Sequence, residues 1–183
     1  MICARLGFSA EQWHPIMLEG HLNLHHEKEL TDLATHLGTQ LLRRQQWVVT
    51  AESCTGGWLA QVLTAVAGSS QWFERGFVTY SNAAKTEMLG VDPQLISTHG
   101  AVSAAVVRAM AQGALKNSHA QISVAISGIA GPSGGTAEKP VGTVWLAWAN
   151  DTQITAQVFL FPGNRQEIRY QSVLAALHGL IKI

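Results

Sequence analysis

The sequence predicts an α/β fold, a single layered domain whose mixed β-sheet carries helices on both faces. Short apolar, β-branched runs alternate with longer stretches whose apolar residues recur every three or four positions, the pattern of strands interleaved with helices. The last two strand runs are joined across Asn150-Asp151, which reads as a hairpin and makes the sheet mixed. A chain of 183 residues with 47% apolar side chains can bury a sizeable core without disulfide or metal staples.

Residues 1–26 mix Trp13, Pro15, Gly20 and several histidines without a period, and read as an irregular N-terminal arm or leader ahead of a domain at 27–183. From Glu27 the residues Leu30, Leu33, Ala34, Leu37, Leu41 and Leu42 trace one face of an amphipathic helix that Arg43 and Arg44 end. Trp47 to Ala51 is a β-branched strand run, followed by a glycine turn and a helix marked by Trp58, Leu59, Val62, Leu63 and Val66. A second strand is expected over 77–80, helices over 83–89 and 103–115, the latter capped by Ser103, and a third strand over 122–126. A Gly- and Pro-rich loop at 127–135 leads through Glu138-Lys139-Pro140 into strands at 141–149 and 154–161 and a closing helix at about 165–180.

Lysine and arginine number 12 and aspartate and glutamate 12, so no net charge draws the chain to nucleic acid or an anionic membrane. Recognition of a phosphate must then be local. Two cysteines, Cys3 and Cys54, make no disulfide framework and point to a reducing, cytoplasmic setting. Residues 1–15 hold no apolar run of the kind a signal peptide needs, and no segment reaches the roughly 18 apolar residues that span a bilayer.

The run Thr50-Ala51-Glu52-Ser53-Cys54-Thr55-Gly56-Gly57 sits where a buried strand hands over to a helix. A serine there lies near exposed backbone amides and the positive end of a helix dipole, which suits the oxyanion of an acyl-transfer intermediate. Gly56 and Gly57 let backbone approach a ligand closely. Equally, Ser53 or Thr55 could simply cap the helix. A nucleophilic serine also needs a base, and no histidine with a suitable partner is evident. Lys85, five residues after Tyr80, can serve if burial or a neighbouring cation lowers its pKa, with Tyr80 relaying a proton or orienting the amine. The plain alternative is a solvated helix lysine and a tyrosine at the core rim. The glycines after Ser127 could present amides to a phosphate, although no Gly-Lys-Ser/Thr follows as in a Walker loop. A metal hydrolase built on His21, His25, His26 and His36 is a further reading, weakened by the lack of an H-E-x-x-H arrangement.

The 50–57 run resembles the signature of the CinA C-terminal family. Further blocks of that family are matched in order by residues 67–82, His99-Gly100-Ala101-Val102-Ser103, Ser127-Gly128-Ile129-Ala130-Gly131-Pro132 and Glu138-Lys139-Pro140-Val141-Gly142-Thr143-Val144. The resemblance covers about residue 27 to the C-terminus. It implies hydrolysis of the carboxamide of nicotinamide mononucleotide to nicotinate mononucleotide and ammonia, within pyridine-nucleotide recycling. It implies a catalytic set of Ser53, Tyr80 and Lys85, and substrate contacts from Thr55, Gly56, Gly57, Ser70, Ser127, Gly128, Gly131 and Arg165. No metal or cofactor is implied; the expected partner is the small nucleotide substrate, and a homo-oligomer is expected. A non-catalytic nucleotide-binding module of the same family is the rival reading. Residues 1–26, with Met17 as an alternative start, exceed the usual family start, and the larger N-terminal domain of full-length members is not expected, nor are its activities. Ser133 departs from the family too, standing where an acidic residue is usual.

Overall fold

A computed structural model describes residues 24–183, with side chains from His26 onward. Most of the arm expected at 1–26 lies outside the described residues, and its last three positions belong to a helix, α1 (Leu24–Arg44). The chain continues as β1 (Val48–Glu52), α2 (Trp58–Thr64), a 3-10 turn (Ser69–Gln71), β2 (Phe73–Val78), α3 (Asn82–Leu89), α4 (Pro93–His99) and α5 (Ala104–Lys116). It then forms β3 (Ile122–Gly128), β4 (Thr143–Asn150), β5 (Ile154–Leu160) and α6 (Arg165–Lys182). Among the described residues no helix is long and apolar enough to cross a membrane.

The sheet has the order β2-β1-β3-β4-β5, with β1 parallel to both β2 and β3, and β4 antiparallel to both β3 and β5. The two-residue strand period divides the core. Val48, Ile122, Val124, Ile126, Val144 and Leu146 pack with Leu30, Leu37 and Leu41 of α1, Leu59 and Leu63 of α2 and Val173 and Leu177 of α6. On the other face Val49, Ala51, Ala125, Ala147 and Ala149 meet Val106, Val107, Met110 and Ala114 of α5, with Leu89 and Ile96. Small strand residues let α5 lie close to the sheet. α5 also runs hard against the end of α3, where a Cβ on Gly113 would stand 2.0 Å from the Leu89 carbonyl. α3 is thereby fixed against α5, which itself packs on β1.

The chain leaves β1 for β2 across one face and returns from β2 to β3, on the far side of β1, across the other. Loops therefore diverge at the carboxyl ends of β1 and β3, the position where open α/β sheets bind ligands.

Several boundaries depart from the sequence expectation. β2 runs over Phe73–Val78 rather than 77–80, leaving Tyr80 beyond the strand. As an edge strand it carries Glu74 and Arg75, so the apolar run that normally marks a strand is missing. α4 was absent from the expectation although it has a clear start signal: Asp92 accepts from the Gln94 amide and Pro93 occupies the first turn. Its short apolar content hid it. Ser103 does cap α5, accepting from the Val106 amide.

Candidate active site

The site begins with a carboxylate. Glu52, the last residue of β1, is fully buried and accepts from the amides of Gly57 at 3.0 Å, Leu59 at 3.0 Å and Ala60 at 2.8 Å. Those are the unsatisfied N–H groups of α2's first turn, and an anion there also meets the positive end of the helix dipole. The residue at the cap position is Gly57, at φ 93°, with no side-chain cap of its own. Neither Ser53 nor Thr55 caps the helix, which removes the bland explanation for a serine at this turn.

Alternation along β1 sends Ser53 to the face opposite Glu52, under α3. Lys85, in the first turn of α3 behind the Ser81 cap, is 1% exposed. Its Nζ lies 3.1 Å from Ser53 Oγ, donates to the Thr79 carbonyl at 2.8 Å and reaches the Ser81 carbonyl at 3.5 Å. Among the described residues no carboxylate pairs with it. Burial pushes the Lys85 ammonium below its ordinary pKa, opposed in part by the neighbouring Cys54 sulfur. Cys54 is itself no rival nucleophile at neutral pH, because burial pushes its thiol up to about 11.

Ser53 and Lys85 open on a cavity of about 250 Å³ whose other walls include Tyr80, Asn82, Val102, Ser127, Gly128 and Arg165. Tyr80 is 60% exposed, and its hydroxyl accepts from Arg165 Nη2 at 2.9 Å rather than touching Lys85 or Ser53. Arg165 also donates through Nη1 to the Gly131 carbonyl at 2.9 Å. Ser127 turns its hydroxyl inward, donating to the Ala101 carbonyl at 2.7 Å. Gly131 stands behind the wall at φ 77°, where a Cβ would lie 2.6 Å from Val141 Cγ1.

Other expected contacts are not brought to this cavity. Gly56 and Gly57 line a separate one of about 410 Å³, with Glu27, Trp58, Gln61, Gln166 and Arg169. Thr55 is fully buried and its Oγ1 has no hydrogen-bond partner among the described residues. Ser70 sits in the 3-10 turn ahead of β2, near the start of β1, whereas Ser53 follows its end. The strand's length, roughly 16 Å, separates the two. Of the histidines, His26 stacks on Tyr170 and His36 contacts Gln40, while His21 and the His25 side chain lie outside the described residues.

Two residues were missed from sequence. Glu52 was quoted within the motif but given no part; a lone carboxylate closing an apolar strand was its signal. Arg169 donates through Nε to the Cys54 carbonyl at 3.2 Å and through Nη2 to the Thr55 carbonyl at 2.7 Å. Its signal was its spacing of four from Arg165, which puts both guanidinium groups on one face of α6.

These features define a class: an α/β domain with a mixed sheet and a buried serine–lysine contact at its topological switch point. The chain belongs to the CinA C-terminal domain family, whose model matches residues 30–183. It is 53% identical over 154 residues to nicotinamide-nucleotide amidohydrolase PncC of Pseudomonas putida, an alignment covering 84% of this chain and 96% of that protein. To the protein of the same description from Escherichia coli K12 it is 53% identical over 156 residues, 84% of this chain and 94% of the relative. Among solved structures, competence/damage inducible protein CihA of Agrobacterium tumefaciens matches with a TM-score of 0.83 at 46% identity, covering 84% of this chain and 94% of that one.

Proposed function

We propose that this protein hydrolyses the carboxamide of nicotinamide mononucleotide to nicotinate mononucleotide and ammonia, with Ser53 as nucleophile and Lys85 as its base. The observation that carries the reading is the buried Lys85–Ser53 contact, open to a cavity whose far wall bears Arg165. The relatives named for this activity, aligned over nearly their whole length, supply the substrate.

A neutral amine at Lys85 has two N–H groups and one lone pair. The Thr79 and Ser81 carbonyls engage the former, and the lone pair then faces the Ser53 hydroxyl. Lys85 takes the Ser53 proton as Oγ bonds to the carboxamide carbon, whose oxygen becomes the oxyanion. The Lys85 ammonium returns that proton to the leaving nitrogen, the C–N bond breaks and ammonia departs. Water then attacks the acyl-serine, giving one proton to Lys85 and hydroxide to the carbonyl carbon; the C–Oγ bond breaks as the Lys85 ammonium returns that proton to Oγ, which releases nicotinate mononucleotide and regenerates Ser53 and the neutral amine.

The oxyanion falls to the turn amides. Those of Gly57, Leu59 and Ala60 are held by Glu52, and that of Gly56 donates to the Ser53 carbonyl. The Cys54 amide has no oxygen acceptor among the described residues and Cys54 lines the cavity, so that amide takes the role. Tyr80 acts from the cavity wall with its hydroxyl oriented by Arg165. Arg165 uses two of its five N–H donors on Tyr80 and Gly131, and the remainder suit the phosphate.

A coupled ammonia assay on the purified protein tests the reading. Ammonia and nicotinate mononucleotide should appear in equal amounts. Calorimetric binding of nicotinamide mononucleotide with no ammonia released would instead make the protein a nucleotide-binding module.

A further inference from the structure

The two edges of the sheet are built differently. β2, at one edge, carries Glu74 and Arg75, paired with each other, and its register against β1 slips once, both features that keep a strand from pairing with another chain. β5, at the other edge, reads Ile154-Thr155-Ala156-Gln157-Val158-Phe159-Leu160, seven residues without a charge or a proline, and it pairs with β4 without a register shift. Val158 is 48% exposed and Leu160 66%, and strand alternation puts both on one face. We infer that this edge is the docking surface for a second copy of the chain, whose β5 pairs with it antiparallel about a two-fold axis through Val158. Among the described residues β5 contributes nothing to the cavity of Ser53 and Lys85, so the dimer is independent of the reaction proposed there.

The hydrogen-bond phase of β5 fixes that axis. At its two ends the Asn150 amide donates to the Gln153 carbonyl at 3.0 Å and the Phe161 amide to the Gly142 carbonyl at 2.9 Å. Bonded positions alternate in an antiparallel pair, so Thr155, Gln157 and Phe159 spend their backbone groups on β4, while Ile154, Ala156, Val158 and Leu160 turn theirs outward. The Ile154 carbonyl is already taken, accepting from Arg108 Nη1 at 2.7 Å. Among the described residues Ala156, Val158 and Leu160 keep both outward groups unclaimed, a set symmetric about Val158. Pairing it with its own copy sets Val158 against Val158 and Ala156 against Leu160, and each of the outward amides then meets a carbonyl. The next position would set Ile154 against Pro162, which has no N–H to offer, and there Arg108 supplies the missing donor. The side chains brought together on this face are all apolar, so the contact sets no charge against its like, as a two-fold axis does to any charged residue lying on it. On the opposite face the same register sets Gln157 against the second copy's Phe159. A groove of about 530 Å³, floored by Trp148 and Phe159 and walled by His178 and Lys182 of α6, runs beside the strand there and gives the incoming ring its place.

Sedimentation velocity at about 100 µM tests the pairing, and the wild type should run at twice the chain mass. Val158→Lys sets two ammonium groups against each other on the axis and should run as a single chain, as should Val158→Glu. An equimolar mixture of these two variants should return to twice the chain mass, because position 158 meets its own copy. Val78→Lys, which puts the same charge on the exposed edge strand β2, should leave the assembly as it is. Hydrogen exchange of the wild type needs no variant to fold: the amides of Ala156, Val158 and Leu160 should exchange at least about a hundredfold more slowly than unprotected amides. A wild type of single-chain mass, unprotected amides at these positions, or a Val158→Lys protein of double mass would each overturn the inference. A mixture of the Lys and Glu variants that stays at single-chain mass, or a Val78→Lys protein that falls apart, would overturn it as well.

Discussion

Lys85 Nζ stands 3.1 Å from Ser53 Oγ, and among the described residues the amine's other partners are backbone carbonyls, those of Thr79 and Ser81. A buried lysine facing an aspartate would be held charged. One that faces a hydroxyl and two carbonyls is shifted the other way, because the cost of burying the charge is left without a counter-ion.

Activity should therefore rise with pH. In the proposed mechanism the working form of Lys85 is neutral, and its pKa is lowered by burial, so kcat/KM should climb through a limb lying below the ordinary lysine value. Lys85→Arg should be nearly as damaging as Lys85→Ala, since a guanidinium stays protonated. A well-active arginine variant would mean that position 85 supplies only charge.

The same shift has a stability counterpart. Between the lowered folded pKa and the unfolded value of about 10.4, the unfolded chain binds more protons, so stability rises with pH across that window. Below the folded value the penalty is fully present. Lys85→Met, which cannot titrate, should be more stable than wild type below the window, and the difference should shrink as pH rises through it. Urea titrations of both proteins across this range measure it; a pH-independent difference would count against the shift.

Ser53→Ala should abolish turnover and leave the fold intact. The Ser53 hydroxyl caps no helix and its named partner is Lys85 Nζ, so the thermal midpoint should move little. A fall in kcat of at least about ten-thousandfold is the scale for losing a nucleophile. Near-normal ammonia release from a folded variant would reassign it.

Glu52 should prove a stability residue. Glu52→Ala strips the acceptor from three amides and leaves them at least partly buried, at a cost of about 2–4 kcal/mol by denaturant titration. Glu52→Gln should cost less than the Ala variant, because one carbonyl oxygen still accepts. Equal destabilisation by the two would mean that the charge, not the hydrogen bonds, holds the turn.

Arg165→Ala should weaken the nucleotide by roughly ten- to a hundredfold, the worth of one or two lost charge-assisted hydrogen bonds. Any residual hydrolysis of free nicotinamide should be nearly untouched, and nicotinamide itself should be the poorer substrate in both proteins, since phosphate binding helps hold the carboxamide for attack. Measured kcat/KM for both substrates checks this; equal losses would take Arg165 out of the phosphate site. The structure adds that the variant also frees the Tyr80 hydroxyl and the Gly131 carbonyl.

The sequence by itself determined the class of fold and the turn that carries Ser53, the proposed nucleophile. Strand and helix periods reflect which side chains must leave water, and that pressure is local enough to be read along the chain: α1, α5, α6 and the buried strands β1, β3 and β4 stood out for this reason. Where the pressure is weak the reading slipped, at the charged edge strand β2 and at the short helix α4. What only the tertiary structure decided was how side chains were shared out. Ser53 and Glu52 are neighbours in the chain, yet strand alternation sends one to Lys85 and the other to the start of α2. Ser127 looked like a ligand contact and spends its hydroxyl on Ala101, Tyr80 is turned to Arg165, and Gly56 and Gly57 open on a different cavity. Arg169 reaches the turn from more than a hundred residues downstream. A motif records which groups are present. Which partner each one takes depends on the packing of α3 and α6 against the sheet, because a hydrogen bond forms only where distance and direction agree.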